Sequence, residues 1–422
     1  MGVIRTALGQ RGLRLLIAAA LVSLSGDWVL RVGLAYYIYA LTGSTLASAL
    51  MLLASFVPQV ALSSLAGVLV DRWDSRRTMV IANLLLAGGL LPLLAVRQAA
   101  EVWIVYAVTA VQSCVQQFFV PAQQSLLPAV TDDASLVTAN ALNGQASDVS
   151  RLAGSAAGGV LAAAGGIAAL ACTDIASFLL AAVLIGRITV AARARGGTAV
   201  RRTLRARLAE LRSEWADGIR LSTRQRVLRV VLVFLAVTSV GEGIMGTLFA
   251  PFVRSVLHGS GQDYGIIVAA QAIGGIAGGL AAASIGNRIR ASWLFGWGAV
   301  AFGAVDLVMF LYPLAWVAAW PAAVCMVVVG LPGALMLAGA LTLVQREADD
   351  GRRGRVFGAF GAIEGIAVVV GAVTAGLCGQ AVGIIGVLAA QGAGYLIAGL
   401  TVLMTLRHGT AGDQPAASPL TA

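Results

Sequence analysis

Two carboxylic acids, Asp27 and Glu242, stand inside long apolar stretches of this chain. Each directly follows a glycine, and each stretch closes on a Gly-Ser pair, Thr42-Gly43-Ser44 in one and His258-Gly259-Ser260 in the other. An ionisable side chain in hydrocarbon is expensive, so such a residue marks a function by default. Its chemistry there is to take up and release a proton or to pair with a cation. Four further acids fall in apolar stretches: Asp148, Asp174, Asp306 and Glu364. Arg31 follows Asp27 by four residues and Arg151 follows Asp148 by three, spacings that place each pair on one helix face. These pairs read as structural or switch salt bridges in which the cation holds the acid ionised. Glu242 and Glu364 have no cation within helical reach: Gly246 and Val368 occupy the corresponding places. A carboxyl left alone in hydrocarbon favours its neutral form, which makes Glu242 the leading proton carrier, with Asp27, Glu364 and Asp148 as further proton-coupling candidates. Cross-helix pairing with Arg31 or Arg151, or a neutral Glu242 bonded to backbone, are the alternatives. Asp174 and Asp306 are weaker candidates, because a lipid-facing or interfacial site is open to either.

The elements that must position these groups are membrane spans. The chain has 422 residues, is 59% hydrophobic and 11% charged, and has a mean hydropathy of +0.88. A soluble protein of this length could not bury that much apolar surface, whereas a bilayer absorbs it. At about 20 residues per span the first half holds six candidates, roughly 14–41, 46–70, 78–97, 101–127, 141–164 and 167–188. The second half holds six more, roughly 229–254, 262–286, 291–312, 315–344, 355–378 and 381–406. The domain reading is therefore an N-terminal six-helix half at 1–190, an Arg-rich linker at 191–228, a C-terminal half at 229–407 and a disordered cytoplasmic tail at 408–422. In the linker Leu204, Leu208, Leu211, Trp215 and Ile219 recur at helical spacing, which predicts an amphipathic helix on the membrane surface.

All 29 basic residues are arginine, and 25 fall on the side shared by the two termini and the linker. Excess arginine marks the cytoplasmic face, so the expected location is the inner membrane with both termini inside. The net charge of +10 is explained by this asymmetry and by attraction to anionic membrane lipids, and nucleic acid is not an expected partner. Cys114, Cys172, Cys325 and Cys378 all lie in spans without ligand spacing, so neither disulfides nor a metal is expected. A short basic lead runs directly into the first span, which does not read as a cleavable signal peptide.

The two halves repeat one another. Asp132-Asp133 matches Asp349-Asp350, and Gly144, Gly154 and Gly159 match Gly361, Gly371 and Gly376, at an offset that stays between 215 and 217. Two parallel six-span halves joined by a linker form the architecture of a duplicated transporter.

After the second span the chain reads Gly67-Val-Leu69-Val-Asp71-Arg72-Trp-Asp74-Ser-Arg76-Arg77. This resembles the cytoplasmic loop signature of the major facilitator superfamily. Gly26-Asp27-Trp28 with Arg31, Thr42-Gly43-Ser44, Pro121-Ala122, Leu127-Pro128, Asp174 with Ser177-Phe178, and Arg353-Gly354-Arg355-Val356 resemble its macrolide-efflux and enterobactin-exporter branch. The resemblance covers nearly the whole chain. It implies an all-α integral membrane protein of the major facilitator fold, with 12 transmembrane helices in two pseudo-symmetric six-helix halves. It also implies that Gly67, Asp71, Arg72, Arg76 and Arg77 form a gating loop, with Arg355 of the eleventh helix as cross-bundle partner. Positive-inside decoration is the plainer account of the same arginines. By the same resemblance the first, fourth, seventh and tenth helices line a central cavity. Trp28, Tyr36, Gln116, Phe118, Phe119 and Gln123 are then its candidate surface, suited to a bulky amphiphile. Trp103, Tyr312 and Trp316 read better as interfacial anchors. Gly154-Ser155-Ala156-Ala157-Gly158-Gly159 resembles the glycine-rich signature of proton antiporters, with Ser155 where proline is usual; plain small-residue packing by Gly154, Gly158 and Gly159 explains it equally well. Many proton-coupled relatives also carry an arginine in the fourth span, where this chain offers Gln112, Gln116 and Gln117.

The resulting reading is a secondary active exporter of amphiphilic small molecules, a drug, macrolide-like product or siderophore, run by proton antiport and alternating access, monomeric and without cofactors. A nutrient importer is the first rival. A membrane-embedded lipid-modifying enzyme is the second, opposed by the lack of any metal or triad partner for His258 and His408. ATP coupling is opposed by the absence of lysine, which a phosphate-binding loop needs. The loop signature yields a first test: Asp71→Asn should slow turnover in vesicles with little loss of substrate affinity, and unchanged turnover returns the loop to decoration.

Overall fold

In lipid a backbone with no water to bond must satisfy its polar groups internally, and for these sequences that means helix. The computed structural model describes residues 9–70, 73–132, 135–189, 216–285, 288–348 and 353–406. Asp71, Arg72, the linker up to Trp215 and the tail lie outside the described residues. In the first half the helices are α1 (Arg11–Thr42), α2 (Thr45–Val70), α3 (Ser75–Gly89), α4 (Val102–Ala129) and α5 (Leu136–Gly186). The second half holds α6 (Arg226–Pro251), α7 (Gly261–Ile285), α8 (Ala291–Leu311), α9 (Trp320–Glu347), α10 (Arg353–Ala381) and α11 (Ile384–Thr405). Among the described residues, eleven helices are long and apolar enough to cross a membrane.

The twelfth crossing is inside α5. A straight helix of its 51 residues would run roughly 76 Å, more than twice the ~30 Å hydrocarbon core. The helix breaks at Gly166, whose φ of 59° and ψ of −156° suit only glycine. The two limbs run antiparallel along α1: Gly154 and Gly158 meet Ser25 and Val29, while Leu170 and Asp174 meet Gly33 and Gly26 in the reverse order. The same break recurs 217 residues later, where Gly383, at φ 95°, separates α10 from α11.

The chain divides into two compact units, one of residues 1–200 with 259–269 and one of 201–258 with 270–422. The first turns of α7 thus belong to the first unit rather than to the expected C-terminal half. Gly261 and Gly265 pack there against Gly159, and the Tyr36 hydroxyl donates to the Gly259 carbonyl at 3.0 Å.

Within each unit the helix bearing Asp27 or Glu242 is pressed against its neighbours through glycine. A Cβ on Gly154 would meet the Ser25 carbonyl at 2.5 Å and the Trp28 Cβ at 2.7 Å, and one on Gly158 would meet the Val29 carbonyl at 2.6 Å. In the second unit Gly243 abuts the Val368 carbonyl of α10, and Gly371 of α10 abuts the Val240 carbonyl of α6. Small residues are what allow this approach where lipid tails remove the hydrophobic drive between helices. The linker's described end, residues 216–224, is helical and docks on α10, with Gly218 against the Arg355 carbonyl and Leu221 against the second unit's core. The expected surface helix is therefore, over these residues, packed on protein.

Gly154→Ala should lower the detergent melting temperature by the equivalent of about 1–3 kcal/mol of overpacking. Gly144→Ala, whose Cβ would meet nothing within 4 Å, should be neutral or gain up to ~1 kcal/mol of helix propensity. Equal melting temperatures for the two variants would refute the packing account.

Candidate functional site

Glu242 sits in α6 between two glycines that face different helices. A Cβ on Gly241 would meet Gln391 Cγ of α11 at 2.8 Å, and Gly243 faces α10. The turn holding the acid is therefore clamped on two sides, while the Glu242 residue as a whole is exposed. The Tyr395 hydroxyl of α11 donates to Glu242 Oε1 at 2.7 Å. One turn away on α11, Gln391 Nε2 donates to Asp306 Oδ2 of α8 at 2.9 Å. Gln391, Tyr395 and Asp306 are all buried, so a single face of α11 serves both acids. Among the described residues no cation pairs with Glu242. Glu364, exposed on α10, lies one turn before the Val368 carbonyl that meets Gly243.

The first unit repeats the scaffold with different polar groups. Gly26 leaves room for Asp174 and Ser177 of α5, as Gly241 does for Gln391 and Tyr395. Asp174 is fully buried and accepts from the Ser177 hydroxyl at 3.0 Å. Asp27 is half-buried, and Gln116 Nε2 of α4 donates to its two oxygens at 3.1 and 3.3 Å.

Several expectations are corrected by this geometry. Asp174 and Asp306 are not lipid-facing, because each is enclosed by its own unit. Neither Asp27–Arg31 nor Asp148–Arg151 closes into an ion pair: Asp27 turns to Gln116, and the Arg31 guanidinium lies 5.4 Å from the centre of the Trp28 ring. Asp148 and Arg151 are half-buried on α5, whose Ser150 hydroxyl donates to the Leu21 carbonyl of α1. Of the cavity candidates, Phe119 is packed in the first unit's core beside Leu16 and Leu126. Tyr36 is buried, with its ring 6.0 Å from that of Tyr264. Phe118 stacks on Trp73 at 5.8 Å, and Gln123 donates to Asn143 at 3.0 Å. Trp28 and Gln116 remain half-buried beside Asp27.

Of the gating loop, Gly67 falls in α2, while Asp74 caps α3 by accepting from the Arg77 amide at 2.8 Å. Arg76 donates to the Gly186 carbonyl, placing a cation at the C-terminus of α5 where the helix dipole favours it. Arg77 is exposed. Arg355, expected to face the loop, pairs at 3.4 Å with Asp217 of its own unit.

Gln391 and Tyr395 were not among the sequence candidates. The repeat offset of 217 carries Asp174 onto Gln391 and Phe178 onto Tyr395, and extending the comparison to the twelfth span would have exposed them.

A family described as transmembrane secretion effector, within the major facilitator group, matches residues 6–421. The chain is 28% identical over 177 residues to the uncharacterized MFS-type transporter YfiS of Bacillus subtilis, covering 42% of each chain. It is 24% identical over 175 residues to macrolide efflux protein A of Streptococcus pyogenes, covering 41% of this chain and 43% of that one. The match thus spans about two fifths of the length of these relatives. Among solved structures, the nucleoside transporter NupG superposes with a TM-score of 0.75 at 13% identity, covering 94% of this chain and 99% of that one. A bacterial homologue of the iron transporter ferroportin, in an inward-facing state, gives 0.72 at 14% identity over 94% and 98%. At such identities these two likenesses concern the fold alone.

Gln391→Leu should cost about 1–3 kcal/mol of stability by leaving a buried carboxyl without its donor. Adding Asp306→Leu should recover most of that loss, since both partners are then apolar. A double variant melting below Gln391→Leu would show that the bond is not the source.

Proposed function

The chain belongs to the transmembrane secretion effector family of the major facilitator superfamily, and from that membership we propose that it exports amphiphilic small molecules by proton antiport. The observation that carries the coupling is Glu242: an acid in the middle of a membrane helix whose carboxylate accepts from a phenol hydroxyl, with no cation paired to it among the described residues. Such a group exchanges a proton without breaking an ion pair, and its charge changes within a clamped turn. Tyr395 supplies the donor to the acid and is itself anchored one turn from the Asp306–Gln391 bond. Loss or gain of the proton therefore changes what holds α6 to α11, which is a two-state element of the kind alternating access requires.

Asp27 has a different part in this proposal. Its two bonds from Gln116 hold its orientation, and the nearby Arg31, stacked over Trp28, keeps a positive charge on the same helix. It serves as a fixed polar contact for cargo or for the helix, beside the aromatic surface of Trp28. Outward transport is supported by the family's description as a secretion effector and by the likeness to a macrolide efflux protein. A bulky amphiphilic cargo is supported by the likeness to a macrolide efflux protein and by the aromatic and amide character of the first unit's half-buried positions. Inner-membrane placement with both termini in the cytoplasm is supported by the arginine distribution.

Expression in a drug-sensitive bacterial host should lower the accumulation of a lipophilic drug, and Glu242→Gln should abolish pH-driven export in vesicles while the protein still folds. Full pH-driven transport by Glu242→Gln would falsify the coupling assignment. A rise in accumulation on expression would favour import instead.

A further inference from the structure

We propose that the second unit holds an anionic phospholipid in a groove on its membrane-facing side, between α7, α8 and α9, with the phosphate on Arg288 and Arg290. The groove has a volume of about 670 Å³ and an almost wholly apolar lining. Along α8 the lining includes Trp293, Trp297, Ala301 and Val305, one every four residues and so on a single helix face, with Leu294 and Gly298 beside them. Trp293 and Trp297 are half exposed, although they are the largest apolar residues on the helix. Across the groove stand Val328 and Leu331, also exposed. Gly274 and Gly298 keep the floor low: Gly274 meets the Val327 carbonyl and Gly298 the Pro332 carbonyl, so the backbones touch and no side chain fills the space between the rims.

The dimensions select an acyl chain. From Trp293 to Val305 the helix rises roughly 18 Å. One leaflet of hydrocarbon is about 15 Å deep, half of the ~30 Å core. The groove is thus about one leaflet long, and its rims at Trp293, Trp297, Val328 and Leu331 are exposed.

Charge selects the head group. Ile289 lines the groove's mouth, and its two neighbours, Arg288 and Arg290, are both exposed where α8 begins. A guanidinium pair at a membrane surface attracts phosphate and can bind it through two parallel hydrogen bonds. Trp293, one turn into α8, belongs at the depth where indoles sit under head groups. A zwitterionic lipid would satisfy the groove equally well but would gain less from the arginines. The groove contains neither Glu242 nor Asp306, so a lipid there would brace α8 against α9 rather than enter the proposed transport chemistry.

The test uses the tryptophans as reporters. Full-length protein is reconstituted in phosphatidylcholine vesicles containing either phosphatidylglycerol or phosphatidylcholine with brominated chains, which quench adjacent indoles. The signal is the part of the fluorescence that Trp293→Phe/Trp297→Phe removes. Brominated phosphatidylglycerol should quench it at a mole fraction roughly tenfold lower than brominated phosphatidylcholine. Arg288→Gln/Arg290→Gln should bring that ratio to about one while leaving quenching by phosphatidylcholine unchanged. Ala301→Phe should weaken quenching by both lipids; if it fails to fold, the arginine variant decides alone. Equal potency of the two lipids on the wild-type protein overturns the proposal, as does an unchanged ratio in the arginine variant. Displacement of the quencher by an exported lipophilic drug would also overturn it, marking the groove as a port for cargo.

Discussion

Close approach of helix backbones through glycine is the constraint on which the rest of this molecule depends. In a bilayer, apolar side chains gain nothing by leaving lipid for protein, so helices are held by van der Waals contact and by interhelical hydrogen bonds. Both act over short distances. Gly154 and Gly158 bring α5 onto α1, and Gly243 and Gly371 bring α10 onto α6, with nothing between the backbones. The acids sit in these contacts. Glu242 has a glycine on each side, one for α10 and one for α11, and Asp27 follows the glycine that admits Asp174 and Ser177. A polar group placed by backbone contact is held far more narrowly than one placed by flexible side chains, and hydrogen bonds such as Tyr395–Glu242 depend on that precision.

The duplication preserved the frame and released the wiring. Gly26 and Gly241, Gly166 and Gly383, and Gly154 and Gly371 do equivalent work in the two units. The hydrogen-bond partners differ. Asp27 is served from α4 by Gln116, whereas Glu242 is served from α11 by Tyr395. Asp174 occupies the place where Gln391 stands in the second unit, and Gln391 has acquired an acid of its own, Asp306 of α8. Packing between backbones tolerates little change, while a buried polar pair can be exchanged as long as each member keeps a partner. One acid held by a neutral amide and another held by a phenol are not chemically equivalent, and that difference underlies the separate roles proposed for them.

Even the ends of the repeat show how a shared frame accommodates drift. α1 closes on Gly43, in the left-handed region at φ 63°, but in the second half the left-handed residue is His258, at φ 53°. Matching Gly43 with Gly259 by letter therefore misplaces the turn by one residue. Histidine is among the few side chains that enter this region at modest cost. A sequence repeat aligned by identity finds the region but not the conformation.

Much of the fold was legible because span length is a one-dimensional constraint: about 20 apolar residues cross the core, whichever way the helix is rotated. The duplicated halves and the acids at matching places are likewise properties of the string. Rotation about each helix axis is not. Phe119 and Tyr36 read as cavity surface but face their own unit, and Asp174 and Asp306 read as peripheral but are enclosed. The partners of the acids are equally invisible from spacing alone: Arg31 lies at helical reach of Asp27, yet Gln116, 89 residues away, makes the bond. Hydrocarbon thickness and desolvation act on any helix, so the string alone carries twelve apolar stretches in two similar halves and the places of their costly charges. Which face of each helix those charges take and what they bond depends on how neighbouring backbones meet, because hydrogen bonds reach only about 3 Å.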